Sequence, residues 1–260
     1  MNNSFSTSRK DNRTFNIDGI DSKYTPRHME SSVHKYFMPS IERNKVTLQW
    51  EEDDNLLTEQ RNSFYLSLGK RVLDLIITLG VIIFVLSWLF PIISLFVFLD
   101  SRGPIFFMQP RTGYKGTTFY CIKFRTMYNK KQTEFKQTSS NDSRVTKVGR
   151  FLRRTNLDEL PQFINVLFGS MSIVGPRPHA VQHDAFHWAS PTYRTRYSIK
   201  PGITGLAQVR GARGETDVDQ KMEHRVRYDL FYARRQSFSL DARIFFQTIT
   251  TMIKGDKNAW

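Results

Sequence analysis

From Leu75 to Leu99 the chain runs 25 residues without a charged side chain, and no other stretch limits its fold so strongly. As a helix rising about 1.5 Å per residue, a run of this length is enough to cross a hydrocarbon core of about 30 Å. A single span is therefore the first reading of Val72 to Leu99. Two features favour another arrangement. Pro91 lies well inside the run, where it removes a helical N–H and bends the helix. Basic residues also flank both ends, Lys70 and Arg71 before and Arg102, Arg111 and Lys115 after, whereas a span gathers its basic flank on one side. A re-entrant helix that breaks at Phe90-Pro91 and returns to the same face satisfies both observations. The simple span stays open beside it.

The rest of the chain divides by charge. Residues 1–100 carry 11 Lys and Arg against 12 Asp and Glu, while residues 101–260 carry 27 against 12. A surplus of that size fits nucleic acid, an anionic membrane surface or phosphorylated substrates. Arginines interleave with aromatics at Arg194, Tyr197, Arg225, Tyr228 and Tyr232, yet no nucleic-acid motif of defined spacing occurs, so nucleic acid is not an expected partner. Cys121 is the only cysteine, which excludes a disulfide within the chain. Residues 1–63 are polar, contain no apolar core of a signal peptide and show apolar islets only at Tyr36-Phe37-Met38 and Val46 to Trp50. They read as a largely unstructured extension.

The densest chemistry lies between Arg153 and Pro178, RRTNLDELPQFINVLFGSMSIVGPRP. Pro161 suits the first turn of a helix that runs from Gln162 to Phe168 and stops at Gly169. Asp158 and Glu159 then sit at its start, where the helix dipole favours a carboxylate or a phosphate. Leu157, Leu160, Ile164 and Leu167 recur at helical spacing and predict a packed face. Arg153, Arg154 and Arg177 can converge on the dyad. Arg177 stands between Pro176 and Pro178, so its backbone is fixed, and a fixed guanidinium suits bidentate binding of phosphate oxygens. An ordinary capped helix beside a surface turn is the plain alternative.

Around this centre, Ile105 to Met108 and Thr117 to Phe124 alternate as short strands of a hairpin with Tyr114-Lys115 at its tip. Lys123 and Arg125 follow at strand spacing and can point the same way, either toward a site or as a solvated edge. Asn129 to Asp142 reads as an exposed loop, and Val145 to Arg154 resumes packing. His179, just before a helix expected from Ala180 to Ala189, falls at i, i+4 and i+8 spacing with His183 and His187, on one face. Three histidines over two turns are too long for one ion, and an amphipathic helix is the better reading. Pro201 to Val209 is a turn carrying Gln208. Charged and amphipathic helices are predicted over Lys221 to Ala233 and Leu240 to Ile253, the second able to lie in a headgroup layer or in the core.

Three strings, KFRTM from Lys123, LDELPQFINVLFGSMSIVGPRP from Leu157 and PGITGLAQV from Pro201, occur in an order that resembles the bacterial sugar transferases. These are polyprenyl-phosphate hexose-1-phosphate transferases that begin exopolysaccharide and O-antigen assembly. The resemblance covers roughly Leu66 to Trp260. RGETD at Arg213 to Asp217 with Lys221-Met222, and the ending Lys257 to Trp260, resemble its undecaprenyl-phosphate glucose-1-phosphate branch.

The resemblance implies Asp158 as nucleophile, Glu159 as its catalytic partner and Mg2+ bound by the two. It implies substrate or phosphate binding by Lys123, Arg125, Arg153, Arg154, Arg177 and Gln208. It also implies a UDP-sugar donor, undecaprenyl phosphate as acceptor and residence on the cytoplasmic face of the bacterial inner membrane. A homo-oligomer is compatible with it. The family's re-entrant helix usually has a serine before the proline, a position held here by Phe90.

The expected architecture is α+β: residues 1–63 as extension, 64–100 as re-entrant membrane helix, and 101–260 as a small cytoplasmic catalytic domain of helices with short strands and amphipathic interfacial helices. A direct attack by the lipid phosphate and a non-catalytic basic membrane adaptor remain the alternatives at this point.

Overall fold

The computed structural model describes residues 12–16, 45–49, 65–129, 138, 142–212 and 219–254. The islet 36–38, the polar stretch 130–137, the string 213–217 and the ending 257–260 lie outside the described residues. Within the N-terminal region expected to lack structure, β1 (Asn12–Asn16) pairs antiparallel with β2 (Lys45–Gln49).

Helical structure is continuous from Lys70 to Asp100, 31 residues long and apolar enough to cross a membrane. It comprises α1 (Lys70–Val81), a π-helical turn (Ile82–Leu86) and α2 (Ser87–Asp100). The chain stays helical through Phe90 and Pro91, and the irregularity falls one to two turns earlier. There Ser87 Oγ donates to the Ile83 carbonyl at 2.6 Å and Trp88 Nε1 to the Phe84 carbonyl at 2.9 Å. Such side-chain bonds support a local widening of the helix that a downstream proline favours. Ser87 thus supplies a hydroxyl that Phe90 cannot. Asp74, Thr78, Leu86, Ile93 and Val97 are buried, whereas Ile76 (63% exposed) and Phe84 (76%) face outward. A helix so apolar on its exposed face is built for a non-aqueous surrounding.

The remaining elements form a mixed α+β body. Strands β3 (Phe106–Thr112) and β4 (Thr118–Phe124) make an antiparallel hairpin, with Phe106 opposite Phe124 and Thr112 opposite Thr118. Its tip is the turn Tyr114–Gly116, as the spacing predicts, but β3 runs four residues beyond Met108 and includes Pro110. A two-stranded ribbon offers a free edge for the missing N–H. Helix α3 (Lys147–Thr155) is capped by Thr146, whose Oγ1 accepts from the Gly149 N–H at 2.9 Å. A Cβ at position 149 would stand 2.1 Å from the Thr126 carbonyl oxygen, so only glycine lets α3 approach the end of the hairpin. Asn156, with φ 56°, reverses the chain into a 3-10 turn, Leu157–Glu159, which leads into α4 (Gln162–Leu167).

The short strand β5 (Ser172–Val174) runs parallel to β6 (Gly202–Thr204). Between them lie α5 (Val181–His187) and α6 (Pro191–Thr195), followed by α7 (Leu206–Val209), α8 (Asp219–Arg235) and α9 (Phe238–Lys254). Three apolar clusters hold the body together. Val181, Trp188, Tyr193, Tyr197, Met222 and Val226 join α5 and α6 to α8. Cys121, Val166, Met171, Ile173, Tyr232 and Ile244 join the hairpin, α4, β5 and the last two helices. Ile93, Val97, Phe124 and Leu152, with Phe90, Leu157 and Leu160 against them, pack the end of the long helix beneath the 3-10 turn.

Helix α9 therefore contributes Ile244 to the core while Phe246 stays exposed. The buried residues of α4 are Gln162, Asn165 and Val166, in place of the face expected from Ile164 and Leu167. The reason is a hydrogen-bonded clamp. Asn165 Oδ1 accepts from the Ile122 N–H at 3.0 Å, and its Nδ2 donates to the Tyr120 carbonyl at 2.8 Å. A buried amide with both ends satisfied replaces an apolar contact without an unpaired polar group.

Candidate active site

The clamp sets Lys123 over the 3-10 turn. Lys123 Nζ donates to Glu159 Oε1 at 2.8 Å and stands 3.9 Å from Asp158 Oδ2. From the opposite side the Gly175–Pro178 loop delivers Arg177, whose Nη1 donates to Glu159 Oε2 at 3.0 Å and whose Nη2 donates to Oε1. The loop is held from behind by Arg196, fully buried, whose Nη2 donates to the Arg177 carbonyl at 2.9 Å and pairs with Asp229 at 2.7 Å. Glycines make this possible, since a Cβ on Gly202 would fall 2.1 Å from the Gly175 nitrogen. Arg153 Nε donates to Thr126 Oγ1 at 2.8 Å, and its charge acts on Asp158.

The two carboxyls are both buried but differ electrically. Burial opposes ionisation of Glu159, yet Arg177 and Lys123 overcome it and hold its carboxyl well below the usual range. Burial pushes Asp158 up; Lys123 lowers it, and the neighbouring Glu159 charge raises it further. Glu159 thus carries the settled negative charge, and Asp158 keeps the more basic oxygens.

The six residues expected to bind phosphate divide into two groups of three. Lys123, Arg153 and Arg177 converge on the dyad. Arg154 is exposed. Strand β4 ends at Phe124, so Arg125 leaves the strand register; its Nη2 donates to the carbonyls of Val97 at 3.3 Å and Ser101 at 2.6 Å, closing the end of the long helix. Gln208 is buried and donates to the Ile203 carbonyl at 3.2 Å, within its own turn. Phe90 lies against Phe124, with ring centroids 4.9 Å apart. Thr126, Asn165 and Arg196 were not legible as site residues, because each acts by reaching a segment distant in sequence.

Among the described residues, His179, His183 and Asp184 bring ligand atoms within 4.8 Å of one another, a spacing that could hold a metal ion. The group is two histidines with an aspartate instead of the row of three histidines. Its surroundings are cationic: Arg196 Nη1 is 2.7 Å from His179 Nδ1, and Arg225 Nη1 is 3.4 Å from Nε2. Burial first and Arg196 next keep His179 well below the ordinary histidine range. Asp184 accepts from Tyr193 and, at 2.8 Å, from Tyr197. Magnesium selects oxygen donors, and within this group only Asp184 offers one.

The mixed α+β body thus carries one helix long and apolar enough to cross a membrane, and its buried carboxylate pair is flanked by Lys123, Arg153 and Arg177. The sequence profile described as Bacterial sugar transferase matches residues 65–255, and the chain belongs to that family. It is 48% identical over 182 residues, 69% of its length and 39% of the relative's, to "UDP-glucose:undecaprenyl-phosphate glucose-1-phosphate transferase" of Klebsiella pneumoniae. A protein of the same name from Caulobacter vibrioides is 41% identical over 191 residues, 73% of this chain and 71% of that one. "Exopolysaccharide production protein PSS" of Rhizobium leguminosarum bv. phaseoli is 40% identical over 194 residues, 72% of this chain and 96% of the relative. The chain thus spans about two fifths of the Klebsiella protein and nearly the whole of the Rhizobium one.

Proposed function

We propose that this protein transfers glucose-1-phosphate from UDP-glucose to undecaprenyl phosphate and releases UMP, at the cytoplasmic face of a bacterial inner membrane. One observation carries the reading. Glu159 is held as an anion by hydrogen bonds from Arg177 and Lys123, while among the described residues the adjacent Asp158 makes one ion pair, at 3.9 Å to Lys123, with the charges of Arg153 and Arg177 acting on it from further away. A basic carboxylate among fixed cations is what nucleophilic attack on a diphosphate requires.

In this mechanism an Asp158 oxygen attacks the phosphorus nearest the sugar, and the bond from that phosphorus to the bridging oxygen breaks, so UMP leaves with the electron pair. An oxygen of the lipid phosphate then attacks the same phosphorus and returns Asp158 as a carboxylate. Arg177, Lys123 and Arg153 offset charge on the diphosphate. Bound at Asp158 and Glu159, Mg2+ would supply further charge neutralisation.

The re-entrant course of the long helix is part of the proposal. At one end Lys70 Nζ donates to the Val174 carbonyl at 3.0 Å, and Asp74 accepts from Ser172 Oγ at 2.7 Å. At the other, Asp100 accepts from the Val148 N–H at 3.0 Å, and Arg125 holds Val97 and Ser101. Both ends thus bind one body, which supports its lying on a single side of the membrane.

The deciding experiment omits the lipid. Enzyme, UDP-glucose and magnesium should yield about one UMP per site with a sugar-phosphate label mapping to Asp158. UMP that appears only after polyprenyl phosphate is added, with no trapped protein, would refute the covalent route and leave direct attack. Faster release from UDP-galactose than from UDP-glucose would refute the sugar.

A further inference from the structure

The charged first turn of the long helix marks the height at which this protein meets the membrane surface, whichever course the helix then takes. Lys70 and Arg71 directly precede the uncharged run, and such residues settle among headgroups. Arg71 does not point freely into water there. Its Nη1 donates to the Val166 carbonyl at 2.6 Å and its Nη2 to the Leu167 carbonyl at 2.9 Å, which ties the last turn of α4 to that height. The next residue, Phe168, is 81% exposed, more than any other large apolar side chain of the described residues. Its neighbours Phe163 and Val166 belong to the core. Gly169 then turns the chain away with φ 83°.

A Cβ placed on Gly169 would lie 3.5 Å from Arg71 Nη2 and 3.7 Å from Lys200 Nζ, so two cations stand at the base of the exposed ring. Lys200 forms no hydrogen bond or ion pair among the described residues. Burial, then the charge of Arg71, draw its pKa down, and the Asp74 carboxylate offsets them only in part. A bare ring beside two neighbouring cations at headgroup height matches an amphiphile of one kind, with an acyl chain above an anionic phosphate.

We propose that Phe168, Lys200 and Arg71 form a lipid site in which the ring enters the upper acyl layer and the two cations hold the phosphate of an anionic glycerophospholipid. The site stands at the opposite end of α4 from the dyad and does not depend on the reaction assigned above.

The test uses the full chain in nanodiscs of phosphatidylcholine, with or without phosphatidylglycerol, and a nitroxide on Phe168→Cys. Wild type, whose single cysteine is buried, is the labelling control, and a label on Arg154→Cys marks full water exposure. The label at 168 should be several-fold more accessible to oxygen than to a soluble nickel chelate, and more shielded still with phosphatidylglycerol. Lys200→Gln should remove that added shielding. Nickel access equal to that at position 154 would overturn the membrane contact. Added shielding that survives Lys200→Gln, or that inorganic phosphate reproduces in phosphatidylcholine alone, would overturn the assignment of the anion to a lipid.

Discussion

Asp158 and Glu159 are chain neighbours of the same chemical type, and their unequal surroundings shift their carboxyls in opposite directions. Because burial raises the Asp158 carboxyl above its ordinary value, the stability it contributes is present below the ordinary carboxylate range and is lost as pH rises through the folded value. Asp158→Asn should therefore reduce turnover by several orders of magnitude while the neutral-pH melting temperature holds or rises; a clear fall in melting temperature would mean that the carboxylate supports the fold. Glu159 has the opposite sign. Its lowered pKa supplies stability at neutral pH that is lost as pH falls through the folded value, so Glu159→Gln should lower the melting temperature at pH 7 and have less effect in acid. Arg177→Lys keeps the charge but cannot hold both Glu159 oxygens. We expect a loss of about ten- to a hundred-fold in kcat/KM, the order of one charge-assisted hydrogen bond, and wild-type activity in the lysine variant would remove bidentate clamping from the mechanism.

Among the elements, α4 and the hairpin depend on one another through Asn165. Helical periodicity selected Ile164 and Leu167 as its buried face because apolar spacing is the signal that a sequence displays. The amide turned inward because strand β4 arrives with an N–H and a carbonyl to satisfy. Asn165→Ala strands both groups, at about 1–3 kcal/mol each. In a chain of this size that lowers the melting temperature by about 2–4 °C per kcal/mol, and activity should fall with it because Lys123 is the next residue after Ile122. A stability loss with unchanged kcat would confine Asn165 to a structural role. Arg125 shows the same limit of local reading. It has strand spacing with Lys123, but the strand ends at Phe124, and its guanidinium closes the long helix instead.

On the scale of the whole molecule, the long helix is held at both ends by one body, and a cysteine experiment checks the resulting topology. Cysteines at Leu68 and Arg102, both exposed, should react with a membrane-impermeant reagent only when the cytoplasmic face is open; labelling from opposite faces would establish a span. The apolar run, the hairpin tip between two glycines, the helix that starts after Pro161 and ends at Gly169, and the arginine between prolines were all legible in the amino-acid order. Each is a local consequence of hydrophobic length, backbone freedom or a missing N–H, and such constraints act within a few residues. Which arginines reach the dyad was decided only by tertiary structure: Arg177 and Arg153 do, whereas Arg154 and Arg125 do not. So were the unequal charging of the two carboxylates and the burial of Asn165 and Arg196. Those outcomes depend on desolvation and on partners 18 to 45 residues away along the chain, and neither quantity exists until the elements have packed.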